Sequence, residues 1–509
     1  MAKKDNGLTY LQSYIPEGQK YYKSTKLSFS GLNRRHTLDT GVLSYEKNIS
    51  TVETPYLTPS PVPKLIKSYG LAYRILDTFG FDDFVVIVYE KYDPFTNPTG
   101  PSATFVDFAD DNGVFASGKL EDISVSRHRS IVQFNVYDTP TDAVGGEYVR
   151  KLLIFPDKKS VNLNVERNYT NPTALDFASL ETNTLKIPDI KYATVHLSRV
   201  FGVDDGRIYA SAFNDYANWN LDTAEEYNES NAWCSPAQSN VKADSKFTGI
   251  TTYQNHVVCF KRNFMHEIYN TKNPFRIQDI YAEGTIDNRT IQDVDGRLIF
   301  VSDDNVKIYT GSNPRIISHS LNIPKYETAI SGQDGRNYYL YTKNGTERHI
   351  FVYDTMIDAW SERDYSQYKG KDALFDLQGF ANNSQGVYMA TLGEIYKLDT
   401  NDFEGQNWEF ETDLITNNTV DIKHIKKLQM LGDFNDSKLD VYILYDDEVF
   451  NAETSHKVYS RTDLKGKKPI GVKPRNTAHY GIKLHFEGVG YVKLYELEIF
   501  TQQGGDLYV

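Results

Sequence analysis

The sequence predicts an all-β protein: a β-propeller of about seven blades, preceded by an extended N-terminal arm and followed by a C-terminal β-sandwich. Three observations carry that expectation. Between Gly249 and Thr400 one strand–turn–strand pattern is written four times, starting at Gly249, Ile291, Ser331 and Gly379. The copies recur at roughly 40 to 50 residues, the length of one propeller blade. Within them, Asp295-Gly296, Asp334-Gly335 and Asn344-Gly345 supply the residues that tight hairpin turns need, because they tolerate positive φ. Tyrosine and phenylalanine number 37 and 27, and aromatic side chains favour the pleated surfaces of strands. One four-stranded sheet cannot cover its own faces, whereas blades packed around an axis can.

Taken in order, residues 1–63 read as an arm and linker. Residues 1–50 hold eight Lys and Arg against four Asp and Glu and lack the blade rhythm. Pro59, Pro61 and Pro63 then enforce an extended backbone that a sheet interior does not accept. Such a segment is expected to contact other subunits and to add little to the folding of the monomer. Its candidate partner contacts are Arg34, Arg35, Asp39 and Tyr56. Residues 64–405 form the propeller, with blades expected near 70–108, 120–155, 190–220, 247–281, 291–321, 331–363 and 373–399. The mixed stretch Val161 to Leu185 reads as a crossing between blades. From 410 to 509 the strands lengthen and lose the blade rhythm, as in Lys438 to Tyr445 and Tyr491 to Phe500. Their apolar positions fall on one face, the pattern of a sandwich.

Composition narrows the function. The net charge is −13, with +4 on residues 1–50 and −2 on residues 411–509, leaving −15 between them. A body this acidic repels phosphate, which disfavours sequence-specific DNA reading by the propeller. Cys234 and Cys259 are too few for a disulfide scaffold or an all-cysteine zinc site, and are expected as free thiols. Met1-Ala-Lys-Lys-Asp-Asn-Gly7 lacks the apolar core of a secretory signal, and no run approaches the roughly 18 apolar residues of a membrane helix. Synthesis in the cytoplasm and no membrane-spanning segment are the expectations.

No catalytic, cofactor or metal set is expected. Glycosidases need two carboxylates flanking a sugar, but Asp204, Asp205, Asp295, Asp303, Asp304 and Asp334 fall in turns, where a backbone role explains them. The Ser-x-Asp-x-Gly-x-Thr box of sialidase-like propellers is missing from all four copies. His196, His256, His266 and His349 lie on or beside strands without metal-ligand spacing. Nucleotide-binding and nucleophile-elbow motifs are likewise missing.

One run joins these elements to a known group. Tyr209, Ser211, Asp215, Asn218 and Trp219, followed by Gly249-Ile250 with Tyr253 and by Val258-Cys259-Phe260-Lys261, resemble the propeller-bearing virion proteins of tailed bacteriophages, including the tail-hub and packaged-DNA stabilisation type. Val352-Tyr353-Asp354 with Trp360 also resembles the strand edge of kelch-like blades, where the Trp packs between neighbouring sheets. The resemblance spans about Lys191 to Asp399 and carries no catalytic residues. It implies a structural, non-enzymatic subunit of a phage neck or tail, extending the DNA channel below the portal. Copies of itself in a ring of six or twelve, portal or adaptor proteins and tail proteins are the implied partners, with DNA only a passing polymer. Trp219 and Trp360 are the expected blade-packing residues. The alternatives are a glycan- or receptor-binding propeller at a host-facing tip and a propeller glycoside hydrolase.

Overall fold

The computed structural model describes residues 4–5, 8–9, 22–120, 128–221, 230–235 and 246–503, apart from 28, 36–41, 52, 54, 71, 92–102, 139–146, 183, 185, 281–283, 324–325, 369–375, 418–420 and 447. Seven sheets, antiparallel except for one short added strand on blade one, follow one another around an axis. From innermost to outermost strand, blade one runs from Tyr73–Phe81 to Gly113–Leu120, blade two from Ser130–Asp138 to Ala178–Ser179, and blade three from Tyr192–His196 to Trp233–Cys234. Blade four spans Phe247–Tyr253 to Arg276–Ile280, blade five Gln292–Val294 to Arg315–Ile316, and blade six Thr328–Gln333 to Ala359–Arg363. Blade seven takes three strands, Gly379–Asn383, Gly386–Ala390 and Glu394–Lys397, and borrows its outermost, Lys64–Ser68, from the other end of the propeller sequence. The ring is therefore closed by hydrogen bonds between its first and last segments.

The blades are near-continuous apolar runs because both of their faces are covered. In blade six, Tyr338, Leu340, Phe351 and Tyr353 face blade five, while Tyr339, Tyr341, Ile350 and Val352 face blade seven. Blade four repeats the arrangement, with Val257 and Cys259 toward blade three and Val258 and Phe260 toward blade five. Each such burial stabilises the fold by about 1.5–3 kcal/mol. The turns behave as their sequence requires: Asp295 and Gly296 both adopt positive φ, at 52° and 69°. Asp204 and Asp334 accept backbone N–H bonds from the residues two and three positions on. At the seam of blades seven and one, the inner strands approach so closely that a Cβ on Gly80 would lie 1.6 Å from the Asn382 carbonyl oxygen.

Three expectations change. The stretch from Val161 to Leu185 is not only a crossing: Lys159–Asn162 and Ala178–Ser179 are the outer strands of blade two, and Thr173–Ala174 adds to blade one. Gly113–Leu120, which lies almost wholly between the expected bounds of blades one and two, is the fourth strand of blade one. The largest change concerns the termini. Tyr22–Leu27 and Leu43–Lys47 are strands of the C-terminal sheet, paired with Ile482–Gln503 and Asn407–Thr412 respectively. Leu27, Phe29, Leu43, Ile49 and Leu57 enter one core with Trp408, Phe434, Phe486 and Leu497. The described residues between 22 and 59 are thus not a separate arm, because their apolar positions share one core with the C-terminal strands. Thr58–Pro59 pairs with Ile49–Ser50, and the Pro-containing stretch after it runs toward blade seven outside any strand, the Val62 N–H donating to the Asp402 carbonyl at 2.7 Å.

The C-terminal region is one hydrogen-bonded nine-stranded sheet, which does not confirm the expected sandwich. Its backbone is made of Lys423–Tyr445, His456–Val472 and Ile482–Gln503, which are 23, 17 and 22 residues long. Along the first of these, Leu428, Met430 and Phe434 point into the core at even positions, and Leu439, Val441 and Ile443 at odd ones. The register shift between Asn435 and Lys438, with Asp436 at φ 47°, inserts the residue that switches the parity. Without it, half the strand would turn its apolar set to water.

Candidate functional site at the propeller axis

The inner strands bring polar side chains from non-adjacent parts of the sequence to a cavity of about 270 Å³ on the axis. Asp77, Arg129, Arg289, Gln292 and Gln378 line it. Asp77 is buried; its carboxylate accepts the Arg129 backbone N–H at 2.9 Å and lies 3.0 Å from His128 Nδ1. The Arg129 guanidinium turns away from the axis and donates from Nε to Asp157 at 2.9 Å, both side chains being buried. Arg289 donates to Asp287 from Nε and, at 2.7 Å, from Nη2. Burial opposes the Arg289 charge, but the hydrogen bonds and negative charge of Asp287 outweigh it, so its proton is held more tightly than usual.

Hydrogen bonds then step from blade to blade around this cavity. Ser130 Oγ accepts the Ala193 N–H at 2.9 Å, joining blades two and three. Thr252 Oγ1 donates to the Val195 carbonyl at 2.9 Å between three and four, and the Ile250 N–H donates to Asn288 Oδ1 at 3.0 Å between four and five. Gln292 Nε2 donates to the Ser331 carbonyl at 3.2 Å, and Ser331 Oγ to the Arg289 carbonyl at 3.1 Å, between five and six. Asp77, Asp157 and Asp287 are each matched by a neighbouring base or guanidinium, so this set holds charge in place. Arg289, Gln292 and Gln378 bring N–H groups to the rim that already hold Asp287, the Ser331 carbonyl and, at 3.0 Å, the Asp376 carbonyl, leaving each group's second hydrogens for a ligand.

The residues singled out in the sequence do not converge here. Trp219 is buried with Phe134 and Leu153 of blade two and Val200 of blade three, its Nε1 donating to the Tyr216 carbonyl at 2.9 Å. Trp360 is buried between blades five and six and donates from Nε1 to the Ile317 carbonyl at 2.7 Å. Arg34 lies at the junction of the N-terminal segment with blade six: it pairs with Glu362 and packs its guanidinium over Phe351 at 5.1 Å. Arg35 is exposed, with Nη2 3.4 Å from His319 Nδ1. Tyr56 packs edge-on against Tyr495 at 4.9 Å, beneath Lys493. These three therefore have partners within the chain, and Asp39 lies outside the described residues. His266 and His349 are bound by Asp279 and Glu362, at 2.6 and 2.7 Å. Cys234 and Cys259 are both free, the second fully buried.

Sequence reasoning missed the junction itself. Glu46 is buried, accepts the Glu362 backbone N–H at 3.2 Å, and shares its surroundings with the Glu362 carboxylate, Arg34 and His349. Burial first, and the Glu362 charge second, push its carboxyl well above the usual range. The sequence carries no hint of it, because Glu46 stands at a polar position of the alternating strand Leu43–Lys47.

No protein-family model matches the chain, and no curated protein matches it. Among solved structures the chain is similar to the extracellular domain of a protein described as a one-component system from B. thetaiotaomicron, at 12% identity and a TM-score of 0.40, covering 87% of this chain and 62% of that one. It is also similar to a glycoside hydrolase family 43 arabinoxylan arabinofuranohydrolase from Bacillus subtilis, crystallised with cellotetraose, at 8% identity and a TM-score of 0.21, covering 87% of this chain and 99% of that one. Likenesses this distant say nothing of function. The fold stands on its own strand pairing: a seven-bladed β-propeller joined to a sheet made from both ends of the chain.

Proposed function

We propose that this chain is a structural subunit of a tailed-bacteriophage neck or tail, assembled into a ring with copies of itself and joined to portal, adaptor and tail proteins. The observation that carries this reading is the strand His456–Val472. It pairs along one side with Lys423–Tyr445, and among the described residues its other edge pairs with nothing. Residues 456–475 hold seven Lys and Arg against one Asp, which leaves −19 on the rest of the chain. Lys457, Arg461, Lys465 and Lys467 stand exposed on that edge. Lysines guard an edge strand against indiscriminate pairing, and they also steer it toward an acidic surface. The acidic propeller of a neighbouring copy is such a surface. A basic edge on one face and an acidic body on another make a head-to-tail contact, which closes into a ring when the rotation allows. Within that ring DNA is a passing polymer, and the protein acts through rigidity rather than turnover.

Purified virions of the source phage, probed with antibody to this chain, test the reading. Label at the neck or tail is expected, and incorporation should fail when Lys465, Lys467 and Lys468 are changed together to Glu. Absence from virions, or normal incorporation of the triple variant, contradicts it. The axis cavity with its N–H donors favours a second reading, a glycan-binding propeller at the host-facing tip. Saturable binding on a glycan array, lost in Arg289→Ala, supports that reading over the first.

A further inference from the structure

A second polar cluster lies on the outer face of the terminal sheet, away from the axis. Cross-strand register sets Glu409 opposite Glu487 and Glu411 opposite His485, while the intervening Phe410 and Phe486 stack at 4.5 Å on the core face. The four polar side chains thus form a square on one face of two adjacent strands. His485 is only 2% exposed and lies beneath the Phe450 ring, stacked at 3.5 Å. Its Nδ1 is 3.5 Å from Glu411 Oε2 and its Nε2 is 3.8 Å from Glu487 Oε1, yet neither ring nitrogen completes a hydrogen bond. A buried imidazole left without hydrogen bonds is costly unless something else engages it.

We propose that Glu409, His485 and Glu487 bind one divalent metal ion of the zinc type, which ties the Asn407–Thr412 strand to Ile482–Gln503. One donor atom from each of the three lies within 4.8 Å of the others. Donors around a tetrahedral zinc at about 2.0–2.1 Å stand about 3.3 Å apart, so the two half-buried glutamates need to move inward by on the order of 1 Å. The surroundings suit this geometry. Nε2 faces the ion, and Nδ1 faces Glu411, the carboxylate–histidine–metal arrangement that fixes the ring and raises its basicity. Glu411 is itself held by Lys483 Nζ at 3.2 Å. Tyr45 donates its hydroxyl to Glu409, and Tyr442 donates to Glu487 at 3.3 Å, orienting both carboxylates. Lys47, 3.6 Å from Glu409 and partly exposed, is the competing cation and can swing into solvent. Two carboxylates and one imidazole leave a fourth position for water, a donor set suited to zinc or manganese.

The full chain, stripped with chelator and then given zinc sulfate alone, tests this. One zinc per chain is expected to survive gel filtration, and X-ray absorption of that sample should show one imidazole with oxygen ligands and no sulfur. Glu409→Gln and Glu487→Gln, both at partly exposed positions, should each weaken zinc binding at least about tenfold while leaving the melting curve in chelator unchanged. Glu411→Gln, which acts through His485, should weaken it by about 10–100-fold. Zinc that is not retained, zinc with a multi-histidine or sulfur signature, or retention unaffected by both ligand variants overturns the proposal. The X-ray absorption result decides the matter even if a variant fails to fold.

Discussion

Blade six and the terminal sheet bury similar side chains by opposite routes. In blade six the cross-strand partners are close in sequence: Tyr339 faces Val352, and Trp360 faces Tyr353. In the terminal sheet Leu27 is paired with Leu497, and Glu46 with Phe410. The propeller is a chain of local hairpins whose interfaces add neighbour to neighbour, whereas the terminal sheet gains its Tyr22–Leu27 and Leu43–Lys47 strands only when both ends of the chain meet. Closing that contact costs loop entropy before any packing rewards it. The Lys64–Ser68 strand links the two, since it belongs to blade seven and follows directly from the segment that completes the terminal core. The molecule is therefore closed twice by its N-terminal residues.

Breaking the comparison at its most distant contact should have the largest effect. Deleting residues 1–63 removes five side chains from the terminal core, Leu27, Phe29, Leu43, Ile49 and Leu57, and Leu32 from the core between blades five and six. At about 1.5–3 kcal/mol each, the loss is on the order of 10 kcal/mol, comparable to the whole stability of a domain. Limited proteolysis should find the terminal sheet cleaved throughout, while fragments of the propeller persist.

Local contacts are expected to fail more modestly. Trp360→Ala should cost about 3–5 kcal/mol, read as a lowered denaturant midpoint of the propeller transition with the terminal sheet's transition unmoved. An unchanged midpoint would mean that the ring does not pack between blades five and six. Gly80→Ala pushes a methyl into the Asn382 carbonyl at the closing seam and should cost about 2–3 kcal/mol by forcing the backbone apart.

The smallest expected effect sharpens the comparison at the junction. Glu46 has a carboxyl raised above its unfolded value by burial and by Glu362. Its stabilising contribution is thus complete below the ordinary glutamate range and is lost as pH rises through the raised value. Glu46→Gln should melt higher than the wild type, by a margin that widens from pH 5 to pH 8. A margin that does not widen over that interval would show that Glu46 is held ionised, with Arg34 as its effective partner.

This division also explains what the sequence reveals. Hairpin turns such as Asp295-Gly296 and the doubly covered strands of blades four to six are local and periodic, so they are legible residue by residue. The extra strands of blades one and two are short and polar, as in Lys159–Asn162, and leave no periodic trace. The N-terminal strands were obscured by Pro59, Pro61 and Pro63, which do mark a break, but one that comes after the terminal-sheet strands. Nothing local says that Leu27 and Leu43 pack with residues beyond 400. The metal-type cluster hides for the same reason: Glu409-x-Glu411 and His485-x-Glu487 each place alternate residues on one face, and only register brings the two pairs together. The axis cavity is likewise assembled from the inner segments of six blades, none of which carries a motif.

Hydrogen–deuterium exchange at Leu43–Lys47 and Lys64–Ser68 tests the double closure most directly. If the N-terminal residues complete both the terminal core and blade seven, these amides should exchange as slowly as those of Val441–Tyr445 and Gly386–Ala390, which they help to enclose. Exchange at the rate of a free peptide at Leu43–Lys47, with the rest of the sheets protected, would return residues 1–63 to the role of an arm, and the same at Lys64–Ser68 would contradict the closure of blade seven.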